Sequence, residues 1–408
     1  MRTQKVHFEN RQGHRLTGRL VLPPNRHPHH YALFAHCFTC SKNLGAARQI
    51  SQALAGMGFG VLRFDFTGLG ESEGDFSDTN FSGNVEDLEA AAAFLKRDYE
   101  APALLVGHSL GGAAVLFAAT RLPTVRAVAT VGAPSDPDHV TRLLKSSLEE
   151  IREEGMARVN IGGRGFTIQR QFLEDLRNHS LDRAIKGLEA SLLILHSPQD
   201  RVVSVDNAEK IYRAARHPKS FLSLDGADHL LSRAEDASYA GQVIGSWASR
   251  YLERQREEPL KSDHQVVASL DAEDGFTTRM KVGNHYLTAD EPVSYSGNDF
   301  GPSPYELLSA SLSACTAMTL QMYARRKGWP LENVEVHTSY AREHARDGLE
   351  CMEDPNAKID TFHRVVEFSG ALDKDQRSRL LEIAGRCPVH RTLESPIQVL
   401  TREAEDRP

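Results

Sequence analysis

Cysteine, an excess of basic charge and long apolar runs are all scarce in this chain of 408 residues. Five cysteines are too few, and odd in number, for the disulfide scaffold of a small secreted protein. Lysine and arginine number 48 against 55 aspartates and glutamates, whereas a nucleic-acid-binding protein should be basic. The charged fraction of 25% and the hydrophobic fraction of 40% exclude intrinsic disorder and indicate an ordinary globular protein.

Signals for export or membrane insertion are also lacking. The opening stretch, MRTQKVHFENRQGHRL, contains no apolar core, so we expect no signal peptide. The most apolar stretch, 103–120, contains His108, Ser109 and several glycines, which favours a buried strand followed by a helix over a membrane span. We therefore expect a cytoplasmic protein with reduced thiols that binds no cofactor or metal and meets neither membrane nor nucleic acid.

A charged stretch that contains proline, LERQREEPLKSDHQ, separates two parts of the chain with different patterns. Loss of apolar alternation together with charge and proline is typical of a linker between domains. At about 100–200 residues per domain, a chain of this length should hold two or three. We predict one domain at 1–253, a linker at 254–265 and a second domain at 266–408.

The two parts differ in the order of their predicted elements. In the first, near-continuous apolar strands alternate with helical segments, which predicts a mostly parallel sheet flanked by helices, with a small helical cap at about 134–190. In the second, strands surround one long helix at 305–327, which predicts an α+β domain. The predicted strands are 16–22, 31–36, 60–66, 103–107, 127–131, 191–196, 220–224, 266–270, 276–282, 286–289, 334–340, 365–368 and 397–401.

A serine lies in the motif Gly107-His108-Ser109-Leu110-Gly111, which fits the pattern G-x-S-x-G. The motif directly follows the predicted strand ALLVG and directly precedes the helical pattern GAAVLFAAT. In that context the serine oxygen projects from the sheet on a tight turn, and small neighbours let the backbones approach. The helix N-terminus also favours the charge of a tetrahedral intermediate, so we expect a nucleophile rather than a structural glycine turn.

A serine nucleophile needs a base, and the base needs an acid that orients it. In a sheet of this kind the order along the chain is serine, acid, histidine. Asp200 follows the predicted strand SLLILH and His229 follows the next strand, so both lie at strand ends on the edge where Ser109 lies. We predict a catalytic triad of these three residues, with Asp225 and Asp228 as less favoured alternatives for the acid.

The oxyanion hole of such a site needs two backbone N–H donors, which we expect from Leu110 and from Phe38 in the loop after the strand YALFAH. The segment AHCFTCSK resembles the H-G-F oxyanion loop of serine esterases and related peptidases. RFDFTGLGESEG resembles the strand and turn that follow in those enzymes, and GHSLGG resembles their elbow. Residues from about 5 to 252 therefore resemble the α/β-hydrolase superfamily, with Cys37 where that family usually has glycine.

A second pattern overlaps this loop, because Cys37 and Cys40 have the spacing of a redox pair or of half a zinc site. The sequence holds no second C-x-x-C that would complete a zinc site. We favour the simpler interpretation, in which both cysteines are small residues that fill the oxyanion turn, and we predict no metal.

Two further cysteines define a candidate site in the second part. Cys315 lies inside the long predicted helix among small residues, SASLSACTAMTL, which allow another element to pack closely. Cys387 is followed by a proline that suits a first helical turn, and a helix N-terminus favours a thiolate. Arg386, His390 and Arg391 add positive charge nearby. From the residues alone, two distant cysteines are more often buried apolar side chains than a redox pair.

The segments GPSPYELLSASLSACTAMTL and RCPVHRTL resemble the two cysteine motifs of the OsmC/Ohr family of thiol-dependent peroxidases. The resemblance covers residues from about 266 to 402. It implies an attacking thiol at Cys315, a resolving thiol at Cys387 and an organic hydroperoxide as substrate. It also implies an external thiol reductant and an intertwined homodimer with the site at the subunit interface.

The same family polarises the peroxide with a glutamate and an arginine. Glu306 and Tyr305 both lie in the region where the glutamate belongs, and we take Glu306 as the candidate. Arg279, on an early strand, matches the arginine weakly. Cys351 lies in the charged segment LECMEDPNAK, and we expect it to take no part.

Together the two resemblances cover nearly the whole chain and predict a bifunctional protein. A serine hydrolase would cleave a small acyl substrate, an ester, thioester or small amide, through an acyl-enzyme. An OsmC-like domain would reduce an organic hydroperoxide and form the homodimer. Two alternatives stay open: the OsmC-like part serves only for dimerisation, or the hydrolase part is a non-catalytic binding module.

Overall fold

The computed structural model of the chain describes residues 2–23, 27–36, 41–137, 139, 141, 144, 147–161, 164–253, 259–344 and 358–403. The chain divides into two compact units, residues 1–259 and residues 260–408. The division falls within the predicted linker, while the domain boundaries themselves stay a prediction. Among the residues just given, no helix combines the length and the apolar character that crossing a membrane requires.

The described residues of the first unit form ten strands. They are β1 (Arg2–Glu9), β2 (Arg15–Leu22), β3 (His30–Ala35), β4 (Phe59–Phe64), β5 (Pro102–His108), β6 (Ala127–Val131), β7 (Met156–Ile161), β8 (Arg164–Gln169), β9 (Ser191–His196) and β10 (Lys219–Ser223). Eight of them form one sheet in the order β1-β2-β4-β3-β5-β6-β9-β10. The six strands from β4 to β10 in that order run parallel, whereas β2 is antiparallel to both of its neighbours.

Helices cover both faces of this sheet. They are α1 (Gly45–Gly56), α2 (Phe81–Asp98), α3 (Leu110–Ala119), α4 (Leu148–Glu154), α5 (Arg170–Arg177), α6 (Leu181–Lys186), α7 (Asp206–Ala214) and α8 (Ala234–Ala248). Helices α1 and α8 pack together over one face, where Ile50 and Ile244 are fully buried. Leu33 on β3 and Leu105 on β5 alternate along their strands with residues of that core, so they belong to the opposite face, and they are also fully buried. Helices α2 and α3 contact these two strands. The mostly parallel sheet that the sequence predicted is confirmed.

The region between β6 and β9, predicted as a helical cap at 134–190, contains more than helices. It holds α4, α5 and α6, but β7 and β8 pair as an antiparallel hairpin between α4 and α5. Ala157 and Val159 are buried, and they alternate with exposed Arg158 and Asn160. This period of two favours a strand over a helix.

A buried ion pair fixes the chain shortly after β3. Lys42 is fully buried, and its ammonium group contacts the carboxylate of Asp65 and lies 2.6 Å from Oε2 of Glu71. The backbone N–H of Lys42 donates to Oδ1 of Asp65 at 2.6 Å. Hydrogen bonds from Lys42 and Lys5 lower the pKa of Glu71 to about 2. Because a buried charge is tolerated only when it is paired and hydrogen-bonded, these contacts hold the segment just before α1 to the turn after β4.

The second unit has two separate sheets in the part of it that the structure describes. One is antiparallel and consists of β11 (Val266–Ser269), β12 (Thr278–Val282) and β13 (His285–Ala289); the other pairs β14 (Asn333–His344) with β15 (Lys358–Ser369). The helices are α9 (Pro304–Lys327), α10 (Lys374–Ala384) and α11 (Pro388–Leu393). Helices α9 and α10 share a small apolar core that includes Leu320 and Leu380. This is the α+β arrangement that the sequence predicted.

Helix α9 begins and ends at the residues that the sequence marks. Pro304 occupies its first position, and the hydroxyl of Ser303 accepts the N–H of Glu306 at 3.3 Å. The carboxylate of Glu306 in turn accepts the N–H of Ser303 at 2.7 Å, which completes a capping box. Gly328, with φ of 68°, ends the helix in the left-handed conformation that glycine adopts without strain.

The closing strand predicted at 397–401 is not formed. Its apolar side chains are open to solvent, with Val399 81% and Leu400 83% exposed, and none of the strands that the structure describes pairs with it. Other apolar side chains of this unit are exposed as well: Met318, Met322, Val365, Tyr286 and Tyr295. Exposed apolar surface of this extent is typical of an interaction surface.

Candidate active sites

Ser109 lies on a tight turn between β5 and α3. Its φ of 56° and ψ of −127° are a strained combination for a residue with a side chain. Its neighbours leave no room for side chains: a Cβ on Gly107 would lie 2.3 Å from the carbonyl of Gly111, and one on Gly111 would lie 2.4 Å from that of Ala35. The N–H of Ser109 donates to the carbonyl of Val131 at 2.9 Å. The local geometry is that of a nucleophile elbow.

Ser109, His229 and Asp200 form one hydrogen-bonded series. Nε2 of His229 lies 3.0 Å from Oγ of Ser109, and Nδ1 lies 2.7 Å from Oδ2 of Asp200. The other oxygen of Asp200 accepts the N–H groups of Val202 and Val203 at 2.8 and 2.9 Å. The three side chains come from the ends of β5, β10 and β9, so the structure brings the predicted residues together at one edge of the sheet. A neutral imidazole with its proton on Nδ1 presents a basic Nε2 to the serine.

The acid of this series is held as a carboxylate. Burial raises the pKa of Asp200, but hydrogen bonds from His229 and from the backbone of Val203 and Val202 outweigh burial and hold it below its usual value. The side chain of Asp200 is 2% exposed and that of His229 is 8% exposed. Because little water surrounds the pair, the attraction between the carboxylate of Asp200 and the imidazole N–H of His229 is weakly screened.

The alternative acids make other contacts. Both oxygens of Asp228 bond to Ser232, accepting its N–H at 2.7 Å and its hydroxyl at 2.6 Å. Asp225 accepts the hydroxyl of Ser223 at 2.5 Å. Both carboxylates therefore shape the loop that carries His229, while Asp200 is the one bonded to the imidazole.

Gly132, directly after β6, belongs to this site although the sequence analysis missed it. Its φ is 57°, and a Cβ would lie 3.3 Å from both Oδ2 of Asp200 and Nδ1 of His229. A side chain at this position would therefore crowd the hydrogen bond between Asp200 and His229. The signal that could have identified Gly132 is a glycine directly after β6, the strand that pairs with β5, at whose end Ser109 lies.

Of the two predicted oxyanion donors, Leu110 is the first residue of α3. The first N–H groups of a helix lack acceptors within the helix, so such a position suits an oxyanion. Phe38 lies outside the described residues, as do Cys37 and Cys40.

Two fully buried histidines flank the series, and the sequence analysis assigned neither a role. Nε2 of His108 lies 2.7 Å from the carbonyl of His229, and Nε2 of His196 lies 2.8 Å from the carbonyl of Val203. Burial lowers the pKa of both, that of His108 to about 4. At neutral pH both imidazoles are therefore uncharged.

We expect the first unit to lose stability as the pH falls from about 6.5 to about 4. An unfolded histidine has a pKa of about 6.5, whereas burial lowers that of folded His108 to about 4. The unfolded chain therefore binds the proton first, and the stabilisation, full above pH 6.5, is gone once the pH falls through 4. That pKa difference corresponds to about 3 kcal/mol. Urea unfolding of a Trp329→Phe chain at several pH values, followed by Trp247 fluorescence, measures it.

The groups that face His108 are His229, Asp200 and His36, and their charges modify its pKa less than burial does. His108→Met removes one titrating group and should reduce the slope between pH 6.5 and 4, while the contribution of His196 remains. A variant whose free energy of unfolding keeps the slope of the parent chain would contradict this assignment.

The second unit brings the two predicted thiols together. Cys387 is fully buried before α11, with its sulfur 3.5 Å from Oγ1 of Thr316 and 3.4 Å from the backbone nitrogen of His390. Burial raises the pKa of Cys387, but hydrogen bonds from Thr316, His390 and Cys315 and the charge of Arg364 lower it overall. Cys315 is partly buried on α9, and Arg364 donates to Oγ1 of Thr316 at 2.7 Å.

The predicted peroxide-polarising groups are placed differently. The carboxylate of Glu306 serves the cap of α9, and the residue precedes Cys315 by nine positions, or about 13 Å along the helix axis. Glu306 is therefore not brought to the thiols within this chain. Arg279 lies on β12 at 3.5 Å from Asp271. The arginine beside the thiols is Arg364 on β15, which no motif singled out, and Cys351 lies outside the described residues.

Comparison with known families matches both parts of the chain. Residues 35–181 match the family described as serine aminopeptidase, S33. Residues 296–402 match the family described as OsmC-like protein. The two matches lie one in each compact unit.

Individual relatives match the first unit. The esterase domain of a Rhodothermus marinus protein is 52% identical, with a TM-score of 0.52 over 62% of this chain and 99% of that domain. Lysophosphatidylserine lipase ABHD12 of Danio rerio is 30% identical over 42% of this chain and 44% of the lipase. Palmitoyl-protein thioesterase ABHD10 of Rattus norvegicus is 25% identical over 42% of this chain and 59% of the thioesterase. The chain spans about half the length of these two curated relatives.

The identity of 52% over nearly the whole esterase domain is high enough to assign the first unit to a family. The match of the second unit agrees with its two cysteine motifs. The predicted fusion is confirmed: the chain belongs to the α/β hydrolases through its first unit and carries an OsmC-like domain as its second.

Proposed function

We propose that the first unit is a serine hydrolase that cleaves an acyl substrate through an acyl-enzyme on Ser109. The observation that carries this proposal is the series in which Ser109 and Asp200 bond to opposite nitrogens of His229, at 3.0 and 2.7 Å. The strained backbone of Ser109 adds support, because such strain is concentrated where a nucleophile must be held exposed.

The geometry suggests a two-step reaction. Oγ of Ser109 attacks the acyl carbon while Nε2 of His229 takes the hydroxyl proton, and the N–H of Leu110 donates to the developing oxyanion. The imidazolium, stabilised by Asp200, then gives its proton to the leaving group as the acyl-enzyme forms. A water molecule attacks the acyl-enzyme with His229 again as base, which releases the acid and restores Ser109.

The relatives support one substrate class above the others. They are an esterase domain, a lipase and a thioesterase, and all three names denote hydrolysis of an acyl bond to oxygen or sulfur. We therefore place esters and thioesters first, and keep a small amide as the alternative that the serine aminopeptidase family suggests.

A fluorophosphonate probe tests this proposal directly, because it labels only a serine that is activated as a nucleophile. We expect the label on the peptide that contains Ser109, as read by mass spectrometry, and none on the Ser109→Ala chain. A label elsewhere, or no label on the native chain, would contradict the proposal and favour the non-catalytic alternative.

For the second unit we propose reduction of organic hydroperoxides by Cys315 and Cys387. The observation that favours it is the contact between the thiols, with Thr316 bonded to Cys387 and to the cationic Arg364. We assign the attack to Cys315, since it is the more accessible thiol. Its thiolate takes the outer peroxide oxygen, which gives an alcohol and a sulfenic acid. Cys387 then forms the disulfide with release of water, and an external dithiol reduces it.

We further propose a homodimer formed through the second unit, in the cytoplasm, where thiols stay reduced. The exposed apolar side chains of this unit and the unpaired segment 397–401 support the dimer. The same surface would also serve the alternative in which this unit only dimerises. Activity of the thiol variants separates the two.

A further inference from the structure

We propose that His108 and His196 are positioning residues that orient the base and the acid of the hydrolase site. This inference rests on the proposed function of the first unit. Each histidine is the last residue of a strand, β5 or β9, and each bonds to the backbone of a loop that carries a member of the triad.

His108 holds the loop of the base. Its Nε2 lies 2.7 Å from the carbonyl oxygen of His229, and the two rings are 5.2 Å apart. A carbonyl oxygen only accepts hydrogen bonds, so Nε2 of His108 carries the proton and the neutral tautomer is fixed. The bond joins the end of a rigid central strand to the backbone of the residue whose imidazole must meet Ser109.

His196 holds the loop of the acid in the same way. Its Nε2 donates to the carbonyl of Val203 at 2.8 Å, and the N–H of Val203 donates to Oδ1 of Asp200 at 2.9 Å. The ring also lies 3.7 Å from Oδ2 of Asp200. The strand end thereby holds Val203, whose N–H binds one carboxylate oxygen of Asp200, and this leaves the other oxygen aimed at His229.

The remaining nitrogen of each ring argues for a role in the reaction. Nδ1 of His108 and Nδ1 of His196 are buried and have no hydrogen-bond partner among the described residues. A buried polar atom without a partner costs stability, which an apolar side chain of similar size would avoid. Histidine suits both positions because its neutral ring donates one hydrogen bond and carries no charge. A cation there would repel the imidazolium that forms on His229.

This role predicts a loss in kcat with little change in KM. A base displaced by a fraction of an ångström transfers the proton less efficiently, whereas substrate binding does not depend on it. His108→Met and His196→Met keep the approximate volume and remove the donor. His108→Gln and His196→Gln keep an amide N–H at similar reach without a titrating group.

With a p-nitrophenyl acyl ester, we expect each methionine variant to lower kcat about 10–100-fold with KM within about twofold, and each glutamine variant to recover most of kcat. The matched control is His179→Met. His179 is also largely buried and also bonds a backbone carbonyl, that of Asp175 at 2.7 Å, but in the loop after α5. Its variant should keep the parent kcat. Equal kcat in methionine and glutamine variants, or a methionine variant as active as the parent, would overturn the inference.

A second measurement does not depend on turnover. In the native chain labelled with ¹⁵N-histidine, the NMR spectrum at pH 7 should show both rings as neutral Nε2–H tautomers. An Nδ1–H tautomer or a charged ring at either position overturns the inference even where no variant folds. If the native chain shows no hydrolysis that depends on Ser109, the proposed function fails while the tautomers still test the positioning bonds.

Discussion

The Ser109→Ala chain should hydrolyse p-nitrophenyl acyl esters with kcat lower by about 10³–10⁶-fold than the parent chain, since a methyl group cannot form an acyl-enzyme. The oxyanion donors and the substrate pocket would remain, so a small residual rate is expected. KM should change little, because the hydroxyl contributes to the reaction more than to binding. Steady-state kinetics on several acyl chain lengths measures the loss.

The matched control for this variant is Ser204→Ala, at an exposed serine in the loop after β9. It should keep the parent rate. Activity that persists undiminished in Ser109→Ala would remove this serine from the mechanism. The first unit would then be a binding module with an elbow but no acyl transfer.

The Cys315→Ser chain should consume organic hydroperoxide with a dithiol reductant at the background rate, because a serine oxygen forms no sulfenic acid. Cys387→Ser should still form the sulfenic acid once, but it lacks the thiol that condenses with it, so turnover should fall as well. A sulfenic-acid trap read by peptide mass distinguishes the two variants. Cys351→Ser is the matched control and should keep the parent rate.

Equal consumption by the parent and Cys315→Ser would eliminate the peroxidase proposal and leave the second unit as a dimerisation module. Trapped sulfenic acid on Cys387 in the Cys315→Ser chain would instead exchange the two roles. This outcome would contradict the assignment of the attack to Cys315. It is the alternative that the lowered pKa of Cys387 and its contact with Thr316 favour.

The central strands of the first unit could be predicted from the sequence because strands buried on both faces are continuous apolar runs. The edge strand β1 could not. In its sequence, RTQKVHFE, only Val6 and Phe8 are buried. The other residues are mostly polar, so the segment lacks the apolar run or alternation that predicts a strand. The hairpin of β7 and β8 was missed for a related reason, since its alternation is short and lies next to a helical segment.

The three residues of the proposed triad could be located in the sequence because parallel strands end at one edge, and three motifs lie at those ends. The supporting groups could not, since their contacts join distant parts of the chain. His108 bonds to a residue 121 positions away, and nothing in the local sequence marks such a partner. Arg364 in the second unit is another case, because its neighbour Thr316 lies 48 positions earlier.

The insertion between β6 and β9 has a consequence for how such a chain diversifies. Ser109, His229 and Asp200 all follow other strands, so the segment from α4 to α6 supplies none of the three residues of the proposed triad. A change in this segment would leave the strands that carry those three residues in their order in the sheet. We therefore expect proteins that share this sheet and differ in this segment to keep the proposed chemistry and to differ in the acyl group that they accept.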